Sequence, residues 1–519
     1  MTVSPDLIAS LVQKEYDALP SKRKPVIRNN GLHEWVPLSG IVAEGKDGEL
    51  YCLALATGMK CLPSAKLPQA QGNVLHDWHA EVLAIRAFNR FVLEECRQLA
   101  LGGPDMSSPF LRHRTPDEMR ASESTAGDDG DTEDGWWHAQ PFAWRGDVAL
   151  HMYCSEAPCG DASMELTMAA QADASPWDIP SLPSSPFPPP SSPLPSNSAT
   201  SAEAEPITLP GRAYFSLLGA VRRKPARGDA PPTLSKSCSD KLALRQCASL
   251  LSGLAALLVS PENAYVRCLV LPEAAYSAGG CRRAFSATAL DEEEKGNGEG
   301  EGGNGVEVRE AKAKAGEGRM CPLYRRKWGG GYAFRPFEVR TTGLEFAFSR
   351  RKVSRSEKTA ASNLAVAWTA APTSLPIPTS PPLAPTTSSP TPSIPDTADA
   401  RTNAIRAPKG LEEATLGGTL QGRKQFDARG ASFASRRRMW GLAAEGADLL
   451  AAANTGAGMG EGTEEASVAE IRRALAGART YGELKVSRLL AARRKMKEDV
   501  RAEALKGWAR NLGDDGFGV

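Results

Sequence analysis

The stretch His76–Phe88, "HDWHAEVLAIRAF", changes character half-way along. From Ala80 onward Val82, Leu83, Ile85, Phe88, Phe91 and Val92 recur at helical spacing and make one buried face. A helix over Ala80–Arg97 follows, with Asp77 placed as its N-cap, accepting from the free backbone N–H groups. His79 and Glu81 then fall in the first turn. A neutral imidazole there offers a ring nitrogen to a metal. A carboxylate two positions on points elsewhere round the helix, so it suits a proton-transfer role beside a metal better than ligation.

A metal needs further ligands. "CSEAPCGDASME" places Pro158 and Cys159 just after the strand-like "VALHMY", with a Gly-Asp-Ala-Ser turn leading into a helix. A helix N-terminus lowers a thiol pKa and favours the thiolate that zinc binds. Position 162 is alanine, so a Pro-Cys-x-x-Cys pair is incomplete and a third ligand must come from elsewhere. "KSCSDKLALRQCASLL" offers Cys238 at the start of a long apolar helix. Cys154, on the strand, and Cys247, mid-helix among Leu and Ala, are rivals. His79, Cys159 and Cys238 together leave one position of a tetrahedral zinc open, the catalytic pattern. His-x-Glu followed by Pro-Cys is the signature of zinc nucleobase deaminases, in which the Glu moves protons and does not bind metal.

Composition sets the frame. The chain has 519 residues, 41% of them hydrophobic, ten scattered cysteines and a formal charge of +1. No window is apolar enough for a membrane span, and the cysteines do not form a dense secreted scaffold. The N-terminus lacks a basic leader and instead spaces Leu7, Ile8, Leu11, Val12 and Tyr16 as an amphipathic helix. Nucleus or cytoplasm is therefore the expected compartment. Four stretches lose apolar periodicity: about 106–138, 175–206, 291–318 and 354–408. Rich in Pro, Ser, Gly and acids, they bury too little apolar area to offset chain entropy and read as disordered insertions. The remainder reads as α/β. Strands are expected at 36–45, 49–58, 147–155 and 265–273, and helices at Ala80–Arg97, Lys241–Leu258, Val468–Ala476 and Tyr481–Arg510. Chemistry-bearing pieces lie on both sides of the linkers, which points to one elaborated domain over 1–519.

These motifs resemble the adenosine deaminase domain shared by the double-stranded-RNA editing deaminases and the eukaryotic tRNA-specific adenosine deaminases. "EWVPLSGIVA", "LALATGMKCLPSAKL", "VLHDWHAEVLAIRAFNRF", "APCGDASME", "RRKPARGDAPPTLSKSCSDKLALRQCASLLS" and "LQGRKQFDARGASFASRRRMW" carry the likeness. The resemblance implies a cytidine-deaminase-like mixed sheet flanked by helices. It implies zinc held by His79, Cys159 and Cys238, with Glu81 as proton shuttle. Within the group the sequence looks most like enzymes converting the adenosine 3′ to the anticodon (position 37) of alanine tRNA to inosine; no double-stranded-RNA-binding domain precedes the motifs. Two alternatives stand beside this reading: a deaminase of other structured RNA such as messenger RNA, and a catalytically inactive RNA-binding relative.

The resemblance also implies buried inositol hexakisphosphate. By matching motifs, its contacts fall on Asp77, Arg86, Ser235, Lys241, Lys424, Lys485, Lys495 and Trp508. Two positions depart from the RNA-editing relatives, where cations stand in place of Ile85 and Leu244, so an altered anion cage is expected. Because net charge is near zero, RNA must be held by local basic segments, for which "RRKPARGD", "SRRRMW" and "AARRKMK" are candidates.

Overall fold

The computed structural model of the chain describes residues 3–103, 106–121, 136–170, 209–211, 217–225, 230–287, 318–354, 358–373, 375–376, 410–456 and 463–519. Eight strands build one sheet: β1 (Leu38–Glu44), β2 (Leu50–Thr57), β3 (Ala149–Cys154), β4 (Val266–Pro272), β5 (Glu338–Thr342), β6 (Leu364–Thr369), β7 (Leu411–Leu416) and β8 (Thr419–Leu420). Their spatial order is β5-β4-β3-β1-β2-β6-β7-β8. The β3–β4–β5 side is parallel, and every pairing from β3–β1 across to β8 is antiparallel. A mixed sheet flanked by helices is thus present, and the four strands expected from sequence fall on β1 to β4.

The central strands are apolar almost without alternation because both sheet faces are covered. On one face lies α1 (Pro5–Asp17), capped by Ser4. Its Ile8, Val12 and Tyr16 pack with Leu38, Val42, Tyr153 and Val270. The approach is close: a Cβ on Gly40 would come 2.5 Å from Val12. On the other face α2 (Ala80–Gly102) drives Phe88, Phe91 and Val92 against Ile41, Leu53 and Leu150. Each such side chain contributes about 1.5–3 kcal/mol when removed from water. α3 (Cys238–Ala248), α4 (Arg436–Gly456) and α5 (Ala491–Glu503) extend this layer.

Several expectations need correcting. The helix read over Lys241–Leu258 stops at Ala248, where Ser249 turns left-handed (φ 54°), and resumes only over Ala255–Leu258. Arginines hold the break. Arg245 Nη1 donates to the carbonyls of Ser249 (3.1 Å) and Leu251 (2.9 Å), and Arg493 to those of Ala248 (2.9 Å) and Leu251 (2.6 Å). The final helix breaks likewise at Ser487, which caps a short turn before α5.

Two stretches expected to lack structure carry it in part. Within 106–138, Phe110, Leu111 and Met119 are buried in the main core. Within 354–408, Thr359–Ala361 and Leu364–Thr369 are strands, the second of them interior to the sheet. Small residues such as Ala365 and Ala367 suffice there because α2 packs directly over them. The stretches at 175–206 and 291–317 lie outside the described residues.

Residues far apart in sequence close the α2 side. Asp514 Oδ1 accepts from the Gly72 backbone N–H (2.9 Å) and Oδ2 pairs with His76 Nε2 (2.7 Å). Phe517 stacks on Tyr481 with ring centroids 5.2 Å apart. Among the described residues no helix is long and apolar enough to cross a membrane.

Candidate active site

The N-termini of α2 and α3 meet beside the end of β3. His79, extended at φ −63° and ψ 144°, is itself the N-cap of α2, which displaces Asp77 from the capping role expected for it. Asp77 instead accepts from the His79 backbone N–H (3.0 Å) and from His79 Nδ1 (2.9 Å) through Oδ1. A carboxylate behind a histidine fixes the ring and its tautomer, the usual support for a metal-ligating imidazole. Glu81, one helical position further in, is buried at 6% exposure.

Cys159 and Cys238 arrive on two loops stitched together. Ser239 N–H donates to Cys159 O (3.0 Å), and Ser239 Oγ donates to Pro158 O (2.9 Å) while accepting from Ala162 N–H (3.1 Å). Gly160 permits this with φ 106°; a side chain there would overlap Ser237. Ser237 in turn caps α3 by accepting from Asp240 N–H at 3.1 Å. The Cys238 backbone N–H then donates to Cys159 Sγ at 3.3 Å. A hydrogen bond from the Cys238 thiol, supported by the charges of Lys224 and His79, holds the Cys159 thiol well below its ordinary pKa against the effect of burial. Burial, and then the charge of Cys159, push Glu81 above the ordinary carboxylate range. A buried carboxyl tuned upward beside the Cys159 sulfur and the His79 ring is suited to taking and returning protons.

A second donor set shares the histidine. Ligand atoms of Cys61, Asp77 and His79 lie within 4.8 Å of one another, with Cys61 Sγ 3.7 Å from His79 Nδ1. Asp77 is already committed, however. Its Oδ2 accepts from Lys224 Nζ (2.8 Å), Ser235 Oγ (2.5 Å) and Lys241 Nζ. Two ammonium groups on one carboxylate leave little charge for a metal. The sulfurs of Cys159 and Cys238 are softer donors than the Asp77 carboxylate, although among the described residues it is Cys61, Asp77 and His79 whose ligand atoms form the compact group. Lys224 also donates to Cys238 Sγ at 3.1 Å, and its charge helps hold the neighbouring Cys159 thiol down. The rival cysteines stand apart from this role. Cys247 is nine residues along α3, about 13 Å by helical rise, and burial pushes its thiol up. Cys154 ends β3 fully buried, its thiol likewise raised by burial.

Residues 54–125 and 135–295 match the family described as "Adenosine-deaminase (editase) domain". The chain is 33% identical over 367 residues to tRNA-specific adenosine deaminase 1 of Schizosaccharomyces pombe, an alignment covering 70% of this chain and 74% of that protein. The chain belongs to the adenosine-deaminase (editase) family. It is also 32% identical over 269 residues to tRNA-specific adenosine deaminase 1 of Saccharomyces cerevisiae, covering 51% of this chain and 58% of that protein. For the human protein of that name the figures are 28% over 173 residues, 31% of this chain and 28% of that protein.

This deaminase carries a second buried cluster behind the first. A cavity of about 300 Å³ is lined by Arg86, Lys241, Arg245, Arg436, Lys497, Arg501, Tyr481 and Trp508. It adjoins a more open space of about 560 Å³ that adds Ser235, Lys236, Lys485 and Arg493. Among the described residues no carboxylate pairs with Arg86, Arg245, Lys497 or Arg501, and Arg501 Nε is buried without a partner. Burial, then the charges of Arg493, Arg245 and Arg501, hold Lys497 well below its ordinary pKa. Burial and neighbouring arginines likewise push Arg245 down to about 9 and Arg86 to about 10. Burial, then Lys241, push Lys236 to about 7. Buried like charges without counterions are costly, and a polyanion is the group that fits them.

Of the residues matched to the anion site, Arg86, Ser235, Lys241, Lys485 and Trp508 line these spaces, and Asp77 stands directly behind Lys241 and Ser235. Two do not. Lys424 is exposed on the loop following β8, and Lys495 pairs with Asp499 at 2.8 Å on the other side of α5. Arg493, Lys497 and Arg501 take that place, spaced by four along one helical face. That spacing was the signal available in the sequence. Ile85 and Leu244 form apolar cavity wall. The segments expected to meet RNA also turn partly inward. Arg222 is 1% exposed and donates to the carbonyls of Gly211 and Leu217, and Lys224 is buried against Asp77.

Proposed function

We propose that this chain converts adenosine to inosine in tRNA, and that its target is the adenosine 3′ to the anticodon of alanine tRNA, at position 37. The observation that carries the reaction is the convergence of Glu81 with the His79 imidazole and the Cys159 and Cys238 sulfurs at two helix N-termini. The printed names of the relatives support tRNA as substrate. His79, Cys159 and Cys238 would hold zinc, which when bound lowers the pKa of a coordinated water toward neutrality. Glu81 takes the proton from the attacking water and delivers it to N1 of adenine. As the water oxygen bonds to C6, the same carboxylate takes the proton of the new C6 hydroxyl and passes it to the amine, so the C6–N bond breaks, ammonia departs and inosine remains. Asp77 holds the His79 ring in position throughout. The target base must leave its stack, which an anticodon loop allows at lower cost than a duplex.

The cation-lined cavity is proposed to take inositol hexakisphosphate. Its unpaired guanidinium and ammonium groups support that choice, and Lys241 joins them to Asp77. The decisive experiment incubates purified protein with unmodified alanine tRNA and maps inosine at each adenosine. Inosine at position 37 supports the full reading. Inosine confined to another site, or to a non-tRNA transcript, redirects it, and none with zinc-loaded protein sinks it.

A further inference from the structure

Outside the large sheet, His33–Trp35 pairs in parallel with Thr359–Ala361. This small ribbon is tied to the catalytic pocket from two directions. On one side Leu38 N–H donates to Ser155 Oγ and Ser155 N–H to Leu38 O, both at 2.8 Å, and Arg350 N–H donates to Glu156 Oε1 at 2.8 Å. Ser155 and Glu156 lie on the loop that delivers Cys159. On the other side Lys60 Nζ donates to Asn363 Oδ1, and its neighbour Cys61 stands 3.7 Å from His79 Nδ1. The segments flanking the ribbon are therefore joined to the loops that carry Cys159 and Cys61.

The chemistry of these segments is specific. The exposed Arg350 guanidinium sits 5.7 Å above the half-buried Trp35 ring. The guanidinium makes no salt bridge among the described residues, although its charge acts on the Glu156 carboxylate that accepts the Arg350 backbone N–H. Lys358 is exposed where its carbonyl accepts from the His33 backbone N–H (2.9 Å) at the start of the paired strand. Nearby carboxylates are engaged elsewhere: Glu34 with Arg28 (2.8 Å) and Ser362 (2.9 Å), and Glu345 with Arg351 (3.1 Å). An indole topped by an exposed guanidinium, with a further exposed cation at the start of the paired strand, matches an unpaired nucleotide. The base finds a stacking surface and the phosphate finds positive charge.

We propose that Trp35 and Arg350 form the platform for an unpaired nucleotide flanking the target adenosine, with Arg350 and Lys358 taking its phosphates. This rests on the reading of the chain as a tRNA deaminase. Single-stranded RNA is the occupant because it offers open base faces on a backbone of regular negative charge and the proposed substrate is itself an RNA loop.

The test uses the full zinc-loaded chain with alanine tRNA and with its isolated anticodon stem-loop. Trp35→Ala should weaken binding of both by about 10-fold, leave kcat at saturating RNA near the wild-type value, and be largely rescued in Trp35→Phe. Arg350→Ala should flatten the dependence of log K on log salt by roughly one unit. Zinc content and thermal midpoint report folding; should Trp35→Ala fail to fold, the exposed Arg350 carries the test alone. Unchanged affinity and salt slope in a wild-type background that deaminates tRNA would overturn the platform. A wild type that deaminates no tRNA strikes the functional reading instead, and its affinity for the stem-loop still decides the platform.

Discussion

Two buried charge clusters share the wall formed by α2 and α3, yet they are built on opposite rules. In the catalytic cluster the charges are matched: Asp77 lies between Lys224 and Lys241, and Lys224 lies between the Asp77 carboxylate and the Cys238 sulfur. In the cavity behind it Arg245, Arg493, Lys497 and Arg501 act on one another as like charges, and Arg501 Nε has no acceptor, although Arg436 and Lys485 at its margin pair with Asp514 and Asp515. The first cluster is close to self-sufficient in charge. The second is the cavity proposed above to take a polyanion. Lys241 belongs to both, bonding Asp77 and Ser235 on one side while lining the cavity on the other.

The difference can be tested hardest at Glu81. Glu81→Gln should keep zinc and lower kcat by roughly 10³-fold or more, the scale of lost general acid–base catalysis. Near-wild-type turnover would remove Glu81 from the reaction. Next, Cys238→Ala should lose zinc by metal analysis while Cys247→Ala, on the same helix, retains it. Equal retention in both would dissolve the proposed donor set.

Lys497→Met sharpens the contrast through its sign. In protein carrying the polyanion it should lower the thermal midpoint, because an ion pair is lost. In protein freed of the polyanion it should raise the midpoint, because repulsion with Arg493, Arg245 and Arg501 is relieved. The expected size is a few degrees each way, and the same sign in both states would contradict the cavity reading.

The smallest effect concerns pH. His76 is held neutral, pushed down to about 4 by burial and then by Arg436, with Nε2 donating to Asp514. Its folded pKa lies below the unfolded value near 6.5. Stability therefore falls as pH drops below about 6.5 and levels off below about 4, by at most about 3 kcal/mol from this residue. His76→Gln should flatten that part of the acid unfolding curve; an unchanged curve would show that His76 does not set it.

Where the sequence was legible, one physical rule decided the outcome locally. Apolar runs with turn residues at their ends became β1 to β4, and the helical face of Leu83, Phe88 and Val92 became α2. His-Ala-Glu and Pro-Cys-Gly were visible because their spacing is chemical. What escaped was set by groups distant in sequence. The end of α3 at Ala248 depends on Arg493, some 245 positions away. Asp77 reads as a cap until Lys224 and Lys241 are seen to converge on it. Lys495 and Lys497 look equivalent in "RRKMK"; only the packing of α5 sends Lys497 inward and leaves Lys495 to Asp499.

Asp514 grips the Gly72–His76 turn from 438 positions away. A ribosome that has finished α2, both cysteine loops and the whole sheet has still not made the residues that close the floor beneath His76. Assembly of the pocket must therefore wait for late synthesis, and such long-range closure is slow. Until it happens, the nascent catalytic half remains open to chaperones and proteases.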